Sequence, residues 1–164
     1  MNPYAAPGTN ATGNAGTASA EDDIAAASPP VLAKAAGGAI ALAGGVVGLT
    51  GLQTMMLGHL RSPYSLIPWL LVALGLSNVV LGAVVFRARM WGALCATGAT
   101  LLLALASGGW FVVSITHGLF SLYGFASPFL SATALVFAVL ALGPCQRASA
   151  ARARLHAQGM NLGI

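Results

Sequence analysis

The chain has 164 residues, 57% of them apolar and 6% charged, with a formal net charge of +4 and a mean hydropathy of +0.83. Water-soluble globular domains carry about 25% charged residues, so the composition excludes that class. The three acidic residues, Glu21, Asp22 and Asp23, all precede the apolar part, which therefore lacks the carboxylates that glycosidase-type pairs, Ser-His-Asp triads and HExxH sites require.

In chain order, residues 1–30 are built mainly from Ala, Gly, Pro, Ser, Thr and Asn around that acidic cluster. So few large apolar side chains cannot offset the entropy of ordering, and the expectation is a disordered cytoplasmic tail. Residues 31–143 then hold four apolar stretches, at 35–57, 66–86, 91–115 and 125–142. Each meets or approaches the roughly 20 residues needed to cross about 30 Å of hydrocarbon. Residues 144–164 read as a basic cytoplasmic tail, with Gly143-Pro144 expected to stop the fourth helix. The predicted fold class is all-α, a four-transmembrane-helix bundle with a disordered N-terminal tail.

The first span carries Gly37, Ala41, Gly44, Gly45, Gly48 and Gly51, including the small-xxx-small runs Gly37-Ala41-Gly45 and Gly44-Gly48. Helices in lipid associate by close packing, so this face is expected to be a helix-packing or oligomer interface. Gln53 and Thr54 continue along it. The second span opens with Pro68 and Trp69 and holds Ser77 and Asn78 at its middle. The third places Thr97, Thr100, Ser107 and Ser114 at three- and seven-residue intervals. Polar groups in hydrocarbon need partners, so Gln53, Thr54, Ser77, Asn78, Thr97 and Thr100 are expected either to make interhelical hydrogen bonds or to line a polar path. Trp69, Trp91 and Trp110 fall near span ends, as interfacial anchors do. The connection at 116–127, with Leu119, Phe120, Leu122, Tyr123 and Phe125, is apolar enough to form an outer contact surface.

Six of the seven basic residues sit at one set of span ends: Lys34, Arg87, Arg89, Arg147, Arg152 and Arg154, against Arg61 alone on the other side. The positive-inside rule then puts both termini and the second connection in the cytoplasm, with Arg87, Arg89, Arg147, Arg152 and Arg154 facing lipid headgroups. A nucleic-acid partner is not expected, since the cations mark span ends rather than one face of a soluble domain. Cys95 and Cys145 have no CxxC partner and read as small buried hydrophobes, with Cys145 placed where acylation also occurs. His59 and His117, at the outer ends of the first and third spans, are the one pair able to meet across the bundle and hold a haem or metal. No carboxylate is near to orient them, so they read as interfacial and no cofactor or metal is expected.

The functional expectation is a non-enzymatic protein that self-associates in a bacterial-type inner membrane, as an oligomeric pore or a structural assembly. Two alternatives stay open: an accessory or electron-transfer subunit of a larger membrane complex, and a facilitator for a small neutral solute. The small multidrug-resistance transporters share this size and span count but depend on a first-span glutamate, which this chain does not have.

Overall fold

The computed structural model describes residues 21–56, 66–116, 118 and 122–159. A short helix, α1, covers 21–27. Four long helices follow: α2 (Val31–Met56), α3 (Ile67–Phe86), α4 (Met90–Thr116) and α5 (Leu122–Ala157). All four are long and apolar enough to cross a membrane. α2 packs against α3 and α5, and α4 packs against α5 and α3, while the diagonal pair α2 and α4 barely meet. The result is an up-down-up-down four-helix bundle.

The bundle is inverted relative to a protein that folds in water. Its core is dominated by Ala, including Ala36, Ala43, Ala96, Ala134, Ala138 and Ala141, while Leu42, Leu76, Leu105, Phe129 and Leu140 are more than half exposed. Exposed apolar surface on this scale needs a nonaqueous surrounding. With the four long apolar helices, it marks a multi-pass membrane protein.

Buried positions recur at alternating intervals of three and four. On α3 they are Pro68, Leu71, Gly75, Asn78, Gly82 and Val85. On α5 they run Gly124, Ser127, Ser131, Ala134, Ala138, Ala141, Cys145 and Ala148. A 3.5-residue repeat keeps each seam facing its neighbour along the whole span, as in coiled coils and most helical bundles.

Three expectations are corrected here. The acidic cluster opens α1 instead of lying in a tail that extends to residue 30; the break falls at Ser28-Pro29-Pro30, because a residue before proline is pushed out of the helical region. Residues 1–20 lie outside the described residues. Gly143-Pro144 does not end the fourth helix, since α5 continues through Pro144 to Ala157. Proline's cost of about 3 kcal/mol is offset by Ala- and Arg-rich sequence beyond it and by docking of Ala151 and Leu155 on Ala27. At 1.5 Å per residue α5 is about 54 Å long, so its last part stands clear of a bilayer core of about 30 Å. Finally, Leu122, Tyr123 and Phe125 belong to α5 instead of a loop, and Phe125 meets Phe111 edge-on at 5.0 Å. Leu119 and Phe120 lie outside the described residues.

Candidate functional site

The α2–α3 seam is the tightest part of the bundle. Gly37, Gly44 and Gly51 on α2 face Gly82, Gly75 and Pro68 on α3, each set spaced by seven residues and running in opposite directions. A methyl built on Gly44 would lie 2.6 Å from the Gly75 carbonyl oxygen, one on Gly37 2.6 Å from that of Gly82, and one on Gly51 2.7 Å from that of Pro68. Gly75 is confined in return, since a methyl built on it would lie 2.7 Å from the Gly48 nitrogen, and one on Gly82 would lie 2.9 Å from that of Ala41. Backbone therefore lies on backbone in three successive layers. Gly45 has nothing within 4 Å of a methyl, and Gly38 is equally open. Of the glycine face expected from sequence, Gly37, Ala41, Gly44, Gly48 and Gly51 are within the chain's own seam and Gly45 lies outside it.

Asn78 sits one turn from Gly75 and is fully buried. Its Nδ2 donates to the Leu74 carbonyl at 2.9 Å and to the Ala99 carbonyl of α4 at 3.4 Å, while the Thr100 hydroxyl lies 2.9 Å from its Oδ1. The same hydroxyl is 2.6 Å from the Ala96 carbonyl, so one proton is shared between two acceptors. A second cross-helix contact joins Ser107 to Ser131 on α5 at 3.3 Å. Thr54, Ser77 and Thr97 return their hydroxyls to carbonyls four residues back, those of Thr50, Ala73 and Ala93. Gln53 Oε1 is buried without a hydrogen-bond partner among the described residues.

Two other readings change. Trp110 is only 4% exposed, whereas Trp69 and Trp91 are mostly exposed. Trp110 continues the buried series of α4, Leu103, Ser107, Trp110 and Ser114, so it faces the bundle and not the membrane interface. Cys145 is buried in the α5 seam, but Cys95 is exposed on α4 and is no core residue. A buried thiol offers no access for acylation. His59, Arg61 and His117 lie outside the described residues.

The basic end gathers three parts of the chain. Arg152 on the far part of α5 donates from Nε to the Ala27 carbonyl at 3.0 Å, from Nη2 to that of Arg87 at 3.2 Å and from Nη1 to that of Ala88 at 3.4 Å. These carbonyls close the C-terminal ends of α1 and α3, where a cation opposes the negative pole of the helix dipole. Ala88 has φ of 51°, a left-handed value that glycine adopts more readily. Arg154 pairs with Asp23 at 2.9 Å, and Ser149 receives the Met90 N–H at 3.3 Å. Both described ends of the chain and the α3–α4 turn therefore share one end of the bundle, as the charge pattern requires. Of the five arginines expected to face headgroups, Arg152 bonds three carbonyls and keeps one further N–H on each Nη, Arg154 pairs with Asp23, and Arg87, Arg89 and Arg147 are exposed.

No family model matches the chain, and no curated protein or solved structure matches it significantly. Gly75, Gly82, Ser131 and Ser149 were missed by sequence reasoning. The signal for the first two was present, since Pro68, Gly75 and Gly82 repeat the seven-residue spacing of Gly37, Gly44 and Gly51.

Proposed function

We propose that this chain is a non-enzymatic membrane protein that acts through its outer surfaces, associating with copies of itself as a structural assembly, with its basic end in the cytoplasm. The observation that carries this reading is the closed interior. The central polar side chains of the seams, Asn78, Thr100, Ser107 and Ser131, are spent on one another or on backbone carbonyls, and all four are fully buried. A path for solute through the single bundle along Asn78 has no such support, so a pore would have to lie between copies. Small residues remain on the outside, Gly38 and Gly45 on α2 and Gly98 on α4, where a second copy has room for close approach. The absence of acidic residues after Asp23 supports a non-catalytic role.

The test is the mass of the particle extracted in native nanodiscs. A multiple of the chain mass is expected, and a particle holding one chain contradicts self-association. Co-purification of a different chain would assign the role of accessory subunit instead. For a multiple-chain particle, conductance across a planar bilayer separates pore from scaffold.

A further inference from the structure

Two adjoining clefts open at the basic end, and both are lined by Arg89 and Arg152. The larger, about 690 Å³, runs from Arg89, Trp91 and Ser149 down to Leu81, Val84 and Cys95 between α3 and α4. The smaller, about 440 Å³, adds Lys34, Phe86 and Arg87. Both volumes fall within the roughly 300–1,000 Å³ of small-ligand sites.

We infer that these clefts bind an anionic phospholipid, its phosphate held by Arg89 and Arg152 with Lys34 and Arg87 beside it, and its acyl chain along the apolar floor of the larger cleft. Three observations converge on this occupant. Four cations from α2, the α3–α4 turn and α5 line the two clefts with no acidic residue among the lining. The chain's one ion pair among the described residues, Arg154 with Asp23, involves none of these four. Arg152 is also held in place by its three carbonyl acceptors, which leave one N–H on each Nη for a ligand. A free inorganic anion would use the cations alone. The apolar floor of Leu81, Val84 and Cys95, and exposed Trp91 at the rim, fit a ligand whose phosphate is joined to a hydrocarbon chain. Basic pockets between spans are where anionic headgroups bind.

The inference rests on membrane embedding and not on self-association, so a single-chain particle leaves it standing. The experiment uses the full chain in detergent, delipidated and titrated with phosphatidylglycerol, phosphatidylcholine or inorganic phosphate, and read by native mass spectrometry and melting temperature. Phosphatidylglycerol is expected to be retained at least about fivefold better than phosphatidylcholine, and Arg89→Gln to remove about fivefold of that retention, the equivalent of one surface cation. Lys34→Gln with Arg89→Gln should remove a further factor of similar size. Arg147→Gln, at a residue that lines neither cleft, should change retention by less than about twofold. Arg89 makes no side-chain hydrogen bond or ion pair among the described residues, so its lipid-free melting temperature should match the parent; if it does not, Lys34→Gln alone carries the test. Equal retention of the two lipids overturns the inference, as does an Arg147→Gln loss equal to that of Arg89→Gln. Inorganic phosphate that raises the melting temperature as much as the lipid does overturns the lipid assignment.

Discussion

The α2–α3 and α3–α4 seams share one helix and are built on opposite principles. Between α2 and α3, glycine opposes glycine and the two backbones touch in three layers, with no side-chain hydrogen bond crossing the seam among the described residues. Between α3 and α4 the contact is the least extensive of the four neighbouring pairs, and it carries a fully buried amide, Asn78, against Thr100 and the Ala99 carbonyl. Lipid tails are as apolar as leucine, so excluding them contributes little to helix association. A seam then needs either backbone approach close enough to multiply dispersion contacts or a polar pair that finds no better partner. This protein uses one device on each side of α3.

The largest effect should come from breaking the first device. Gly44→Val puts a branched side chain where even a methyl meets the Gly75 carbonyl and the Asn78 Cβ, the latter at 2.9 Å, and neither neighbour can yield without moving a helix. A loss of about 3 kcal/mol, the upper end for overpacking, is expected in the unfolding free energy measured in detergent. Gly75→Val should behave alike. A loss below about 1 kcal/mol in both would mean that the seam is not closed.

Breaking the second device should cost less. Asn78→Leu keeps the branched, four-heavy-atom skeleton and removes the amide, leaving Thr100 with its Ala96 acceptor. About 1–2 kcal/mol is expected, and a double-mutant cycle with Thr100→Val should return a coupling near the roughly 0.6 kcal/mol average for polar pairs within bilayers. Additive effects of the two changes would deny the pair any role of its own.

The turn joining α3 to α4 sharpens the contrast from the other direction. Ala88→Gly removes the strain of a left-handed φ and should raise stability by about 1 kcal/mol, without affecting the Arg152 bond to the residue 88 carbonyl. Destabilisation instead would show that the buried Ala88 methyl contributes more by packing than its backbone conformation costs.

The four spans were legible from composition because crossing hydrocarbon sets a length and apolarity that little else in a sequence imitates. Asn78 was legible as a group in need of a partner, yet Thr100 could not be chosen over other hydroxyls without the register of α4. The glycine seam was half legible. Gly44 and Gly37 stood out on α2, but a single helix offers both four- and seven-residue spacings, and only the matching Gly75 and Gly82 on α3 select the seven. Arg152 was legible as a basic residue at a span end, but its anchoring was out of reach, because its partners are carbonyls 64, 65 and 125 residues away and carry no sequence signature. The continuation of α5 past Pro144 was hidden for the same reason, since the docking that supports it joins the two described ends of the chain.

The smallest effect is also the one that separates an inner seam from an outer one. Gly45 is adjacent to Gly44 in sequence, but space around its missing methyl is open. If lipid fills that space, Gly45→Ala meets no backbone and reduces only the conformational freedom of the unfolded chain, so stability should rise by about 0.5 kcal/mol. Should a second copy lie there, the same methyl would act as Gly44→Ala does and push two backbones apart, lowering stability and shifting the nanodisc particle toward one chain. The sign of the Gly45→Ala effect, set beside the loss expected for Gly44→Ala, therefore tells whether close backbone packing ends at the surface of the chain or extends across it.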